Sequence, residues 1–389
     1  MEHNPNTQVH NKNWYDRSYK LLLIIPALIL IFSLVYLFIF YSHNSDIIYK
    51  DVSLTGGTTV TVFDANVDIN DLKSSLKQEF PDLIVGSISD IRTGKQHGFF
   101  VETREDADTI KSAIEKYIGY QLNSENSSIE FSGSGLSSGF YQQLRNGVLA
   151  AFLLMGWVVF VIFTEPRKIK GIATMLSFLG FSILLPGISF ISVISIVGII
   201  CGLLLGLINK NNNKKDYILV IGTFIVSIVL FILYPKFILL IPIGLILIYL
   251  YITHSIPSFA VILCAFADII MTITAVDILG IQLSTAGIVA FLMLIGYSVD
   301  TDILLTTRLL KNREGSINSR ILGAFKTGMT MTLTAMAAVG VSFIIIFSFS
   351  DTLRQIFGII LIGLFLDIMN TWLTNASLLK WYMEVKKIT

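Results

Sequence analysis

The sequence predicts a polytopic α-helical membrane protein with one small α+β domain between its first and second spans. Three observations predict it. The chain is 53% apolar and only 14% charged, against about 25% charged in ordinary soluble domains. The apolar residues gather into long blocks, and a helix needs about 20 such residues to cross a bilayer. Residues 42–136 are the only long stretch with the composition of a soluble domain. A net charge of +1 indicates nothing about partners, and no nucleic-acid partner is expected.

A polar tail, residues 1–20, holds Lys12, Arg17 and Lys20. The block from Leu21 to Tyr41 then carries no charge, and no small-residue cleavage site follows it. A signal peptide would have an apolar core of only about 7–15 residues, so 21–41 reads as a retained first span. Within 42–136, Thr58-Thr-Val-Thr-Val-Phe63 alternates at period two, as a half-buried strand does. Ile69, Leu72, Leu76 and Phe80 follow at helical spacing, and Pro81 closes that helix. Two strand-like runs, 84–92 and 98–103, flank the turn-rich Thr93-Gly-Lys-Gln-His-Gly98, where Lys95 and His97 read as solvated. A helix over 106–118 puts Ala107, Ile110, Ile114 and Tyr117 on one face, and a strand over 128–132 ends the unit. The order βαββαβ resembles ferredoxin-like domains. It predicts that Leu76, Ile110 and Ile114 are buried against the sheet. Gly56 and Gly57 read as a turn before the first strand.

The rest is membrane. Spans are expected at 142–163, 171–187, 189–208, 217–234, 237–253, 258–278, 284–307, 328–349 and 356–378, making ten with the first. The segments are a second transmembrane helix (137–163), a block of about four helices (164–256), four core helices (257–379) and a tail (380–389). Cytoplasmic loops are enriched in Lys and Arg. Alternation gathers the N-terminal tail, Arg167, Lys168, Lys170, Lys210, Lys214, Lys215, Arg308, Lys311, Arg313, Arg320, Lys326, Lys380, Lys386 and Lys387 on one side. The other side holds the folded domain and links with only Lys236 and Arg354. Both termini are therefore expected in the cytoplasm and the domain outside.

No G-x-x-x-x-G-K-[ST], H-E-x-x-H or G-x-S-x-G occurs, so nucleotide binding and hydrolysis have no local signature. The chain is not expected to be an enzyme, and no catalytic residue, cofactor or metal site is assigned. Cys201 and Cys264 lie in apolar blocks without metal-ligand spacing, so no disulfide scaffold is expected. Charge inside a span costs about 2.5–3.5 kcal/mol on insertion scales. Asp268, Asp300, Asp302 and Asp367 all fall inside spans, which makes them candidates for a proton relay or polar path. Asp367, Asn370, Thr371, Thr374 and Asn375 form one polar stripe that must face protein or water. Asp300 and Asp302 point about 200° apart on a regular helix, so they cannot share a cavity, and either one could face inward. Thr330, Thr334, Ala338 and Ser342 make a small-residue face that reads first as helix packing. Lys326 either snorkels to the surface or acts as counter-charge to the acids.

Four stretches resemble the SecF subunits of the protein-export machinery, in the RND superfamily, and their archaeal form in particular. They are Asp51-Val-Ser-Leu-Thr-Gly-Gly-Thr58, Ile256-Pro-Ser-Phe-Ala-Val-Ile262 on to Asp268, Ile295-Gly-Tyr-Ser-Val-Asp-Thr-Asp-Ile-Leu304, and Asp367-Ile-Met-Asn-Thr-Trp-Leu-Thr-Asn375. The resemblance implies an RND-like helix bundle of six spans with Gly56 and Gly57 as a domain signature. It also implies a SecD-like partner, the Sec translocon, secreted polypeptides as cargo, the lipid bilayer as setting, and proton-motive force as energy source. The acid of bacterial relatives aligns with Thr301, between Asp300 and Asp302, and their basic position with Lys326. Residues 164–256 have no counterpart in that plan. The alternatives are an RND-type exporter half-unit for small molecules or lipids, and a scaffold subunit that moves no protons.

Overall fold

The computed structural model describes residues 14–89, 93, 95–186, 189–208, 213–233, 237–311, 315–347 and 351–386. The basic residues Lys12, Lys210, Lys236, Arg313 and Lys387, and the end of the strand expected over 84–92, lie outside them. Helix α1 (Trp14–Leu22) leads into α2 (Ile24–Asn44), so the last part of the expected N-terminal tail is helical. A short turn of helix, α3 (Val52–Thr55), is capped by the Asp51 carboxylate, which accepts from the Ser53 amide.

The elements β1 (Gly57–Val62), α4 (Ile69–Leu76), β2 (Ile84–Ser89), β3 (Gln96–Thr103), α5 (Ala107–Ile118) and β4 (Ser127–Ser132) follow in the expected order. The sheet is antiparallel with strand order β2-β3-β1-β4. Alternation explains its core. Val60, Val62, Phe99 and Val101 point to one face, where Leu72, Leu76, Ile110 and Ile114 of the two helices cover them. Asp68 caps α4 by accepting from the Asn70 and Asp71 amides. Gly119, at φ +82°, ends α5 in the left-handed region. The unit is anchored by backbone bonds: Leu283 donates to the Tyr49 carbonyl and the Asp51 amide donates to the Leu283 carbonyl.

The helices that follow are α6 (Ser134–Phe163), α7 (Arg167–Leu184), α8 (Ser189–Leu207), α9 (Lys214–Ile232), α10 (Leu240–His254), α11 (Ile256–Ile278), α12 (Thr285–Lys311), α13 (Ile317–Ile346), α14 (Asp351–Met369) and α15 (Ala376–Lys386). Among the described residues nine helical segments are long and apolar enough to cross a membrane, one fewer than the ten expected. The missing one is α7, whose 18 residues include Arg167, Lys168 and Lys170 in the first turn. It is nevertheless the middle of its block. Met175, Leu176, Leu179 and Ile183 are buried with Ile199, Val220, Ile243 and Leu247 of α8, α9 and α10. Lys168 pairs with Asp216 of α9 at 2.8 Å. A Cβ built on Gly171 would lie 2.4 Å from the Gly202 carbonyl oxygen, so α7 and α8 approach as closely as glycine allows.

The block α7–α10 leaves and rejoins the bundle at neighbouring points, because the Ser258 hydroxyl donates to the Val159 carbonyl at 3.3 Å. Helices α11 and α12 are the most enclosed of the spans. The small-residue face of α13 is not packed within this chain. Thr330, Thr334 and Ala338 are exposed, and α13 is held by Ala324, Gly328 and Thr332 on another side. Gly328 admits the Trp372 ring, which lies 2.6 Å from where its Cβ would be.

Candidate functional site

Three of the four candidate acids meet in the bundle interior. Asp268 sits halfway along α11 among Cys264, Ala265, Ala267, Met271 and Thr272, all buried. Small residues on that face let α12 and α14 close over it. Asp302 lies on the buried side of α12 with Ser298, Thr301 and Thr306. Asp367 lies in the last turn of α14, and the chain then makes one π-helical turn, Asn370–Asn375, before α15. Such turns open the i→i−4 ladder and recur at functional sites. Here Asn370, Thr371 and Asn375 face the acids and are fully buried.

Each carboxylate is held from a different helix. Asp268 Oδ2 accepts from the Ser298 hydroxyl at 2.5 Å, and its Oδ1 accepts from the Asn370 amide at 2.6 Å. Asp302 Oδ1 accepts from the Asn375 amide at 2.7 Å. Asp367 accepts from Thr371 at 3.2 Å and from Thr301, across on α12, at 3.3 Å. The Cys264 thiol donates to the Asn370 carbonyl at 3.6 Å. The three acids are at most 1% exposed, and no cation pairs with any of them among the described residues. Asp302 Oδ2, Asn370 Oδ1, Asn375 Oδ1 and the hydroxyls of Thr272 and Thr374 have no partner. Among the described residues no group of His, Cys, Asp and Glu has the makings of a metal site.

Two of the sequence candidates are not in this cluster. Asp300 is exposed on the far side of α12, as the two-residue spacing from Asp302 requires. Lys326 is exposed on α13 and pairs with no acid among the described residues, because the first turns of α13 point its side chain away from the bundle. Gly56 and Gly57 serve the domain junction. Their φ values are +86° and +143°, and a Cβ on them would lie 2.4 Å from Ser134 Cα and 2.3 Å from the Thr103 carbonyl oxygen. That is a backbone-on-backbone contact, which glycine alone tolerates.

Sequence reasoning missed Ser298, which lies in the Gly-Tyr-Ser stretch, and singled out Thr301 only as the position aligned with the acid of bacterial relatives, not as a donor to Asp367. It also missed a second buried charge. Lys380, expected in a polar tail, is 1% exposed and pairs with Asp16 of α1. Lys380 donates to Asn318 Oδ1 at 2.7 Å, and its ammonium lies 4.4 and 4.9 Å from the Tyr15 and Tyr19 ring centres. The aromatic pair in α1, at i and i+4, was the available signal.

Residues 219–385 match the family model of the SecD/SecF protein-export membrane protein, C-terminal. The match begins within α9, so it takes in the end of the block that had no counterpart in the expected plan. The protein-export membrane protein SecF of Methanolacinia petrolearia is 53% identical over 131 residues, 33% of this chain and 46% of that one. SecF of Methanocaldococcus jannaschii is 48% identical over 149 residues, 37% of this chain and 53% of that one. The chain thus spans about half the length of the curated relatives it matches. The crystal structure of SecDF, a translocon-associated membrane protein from Thermus thermophilus, superposes with a TM-score of 0.53 at 13% identity. It covers 98% of this chain and 40% of that one, and it shows that the two share a fold. This is a multi-pass membrane protein, and the resemblance to archaeal SecF proteins read from its motifs holds, its residues 219–385 being similar to the SecD/SecF C-terminal region.

Proposed function

We propose that this protein is a SecF-like accessory subunit of the protein-export translocase, which works with a SecD-like subunit and draws on proton-motive force to assist secretion. The observation that carries the reading is the cluster of Asp268, Asp302 and Asp367, buried together without a paired cation among the described residues. Intramembrane carboxyls held by one another's helices mark proton paths. Burying three full charges unpaired costs several kcal/mol each, so such a cluster works by exchanging protons. The unpartnered oxygens of Asp302, Asn370 and Asn375 suit polar visitors such as water. A change at any one acid is felt by three helices at once, since Ser298, Thr301, Asn370 and Asn375 couple them.

The basic residues support the orientation. Arg167, Lys168, Lys170, Lys214, Lys215, Arg308, Lys311, Arg320, Lys380 and Lys386 fall at one set of helix ends. That set is the cytoplasmic side in this reading, with both termini there and the βαββαβ unit, taken as ferredoxin-like, outside. The exposed Thr330, Thr334 and Ala338 of α13 give a close-packing face to the partner subunit.

The test uses membrane vesicles containing this chain and its SecD-like partner, with secretion of a precursor followed with and without a proton gradient. Asp268→Asn and Asp367→Asn are expected to insert normally and to abolish the gradient-dependent part of secretion. Normal secretion by both variants under a full gradient would mean that the acids are structural and that the protein is a scaffold.

A further inference from the structure

A cavity of about 430 Å³ lies where α3 and the residue Lys50 before it, the sheet domain and the start of α6 meet. Its lining carries Lys50, Arg104 and Arg145 with the neutral donors Ser138, Tyr141 and Gln142, and no acid. Lys50 is partly compensated, since Asp46 pairs with it at 2.6 Å and also accepts from the Tyr141 hydroxyl at 2.9 Å. Arg104 and Arg145 have no ion pair among the described residues. The Arg104 backbone amide donates to Asp82, but its guanidinium pairs with nothing there. Arg145 stands 6.0 Å from the Tyr141 ring centre, with Lys50 4.6 Å from the same ring. Cations facing one concave space repel one another, and an anion placed between them relieves the repulsion.

The surroundings say where that anion comes from. Leu136 and Phe140, beside Ser138 and Tyr141 on the first turns of α6, are 76% and 46% exposed. Ile47 and Tyr49, just past the end of α2, are exposed as well. Apolar and aromatic side chains turned outward at a span's end, next to clustered cations, match the headgroup layer of a bilayer. Arginine and lysine in such a place suit phosphate, which guanidinium binds through two parallel N–H donors.

We infer that the cavity bounded by Lys50, Arg104 and Arg145 binds the phosphate headgroup of an anionic membrane lipid and so ties the sheet domain to the bilayer surface. The test is native mass spectrometry of the full chain released from nanodiscs of phosphatidylglycerol or of phosphatidylcholine. An anionic lipid is expected to stay bound where phosphatidylcholine does not. Arg104→Gln/Arg145→Gln should weaken its retention about 30-fold, at the strength of two cations near a membrane surface. A Lys73→Gln/Lys77→Gln control, at exposed positions of α4 and its C-cap, should not. Thermal midpoints check that all variants fold, and each single arginine variant should lose about 5-fold. If inorganic phosphate at millimolar concentration displaces the lipid and stabilises the wild type, the site serves a free anion and the lipid assignment fails. Equal retention of both lipids, or of either lipid by the double arginine variant, also overturns it.

Discussion

At the scale of single residues, the chain places its carboxyls by cost. Asp268, Asp302 and Asp367 survive in the interior because Ser298, Thr301, Asn370 and Asn375 each supply a donor. Asp51 shows the same competition outside the spans. Burial raises its pKa above the ordinary value of 3.8, against the opposing bonds from Ser53. A carboxyl whose folded pKa is raised adds most stability below its unfolded pKa and loses it as pH rises through the folded value. Asp51→Asn keeps an N-cap acceptor and removes that loss. Its thermal midpoint is therefore expected to exceed the wild type's at neutral pH, the gap closing as pH falls toward about 4. A gap that widens on acidification would contradict the burial account. Much at this scale was legible beforehand. The acids announced themselves by hydropathy, and the spacing of Asp300 and Asp302 required that only one face inward. Which one did so depended on the neighbours of α12, and a single helix does not specify them.

Elements carry the next level of constraint. The βαββαβ order could be read because its elements show their own periods, with Asp68 opening α4 and Gly119 ending α5; α4 stops at Leu76, short of the expected close at Pro81. The helicity of residues 14–20 and 380–386 could not, since short polar segments gain order only from tertiary contacts. Those contacts are the Lys380–Asp16 pair and the Tyr19 hydroxyl donating to Glu384 at 2.6 Å. Lys380→Met removes the buried ammonium that pairs with part-buried Asp16 and is expected to lower stability by about 3 kcal/mol. Asp16→Asn/Lys380→Met should recover most of that loss in thermal unfolding, because it removes both charges together. The seam between α7 and α8 is equally specific. Gly171→Ala sets a methyl against the Gly202 carbonyl, and about 1–3 kcal/mol of destabilisation is expected. An unchanged midpoint would mean that the two helices separate freely.

For the whole molecule, the acid cluster draws on α11, α12, α14 and the π-helical turn, and takes nothing from α7–α10. The Val159–Ser258 contact puts the two ends of that block side by side. Replacing residues 166–254 with a short flexible linker is therefore expected to leave a folded bundle that still responds to the gradient. Loss of membrane insertion in that variant would show that the block is integral to the bundle, as the family match beginning at residue 219 allows.

The pairing of Asp16 with Lys380 joins positions 364 apart in sequence, and this has a consequence for the timing of synthesis. Translation delivers α1 and α2 first, while the lysine that neutralises Asp16 arrives only with the last described helix. Throughout elongation α1 therefore stands without the lysine that pairs with Asp16 in the finished chain. The four helices of the α7–α10 block, by contrast, find one another as soon as they emerge. A chain interrupted before α15 therefore lacks the ammonium that pairs with Asp16 and lies over the Tyr15 and Tyr19 rings, and with it the contact that closes the first helix onto the last.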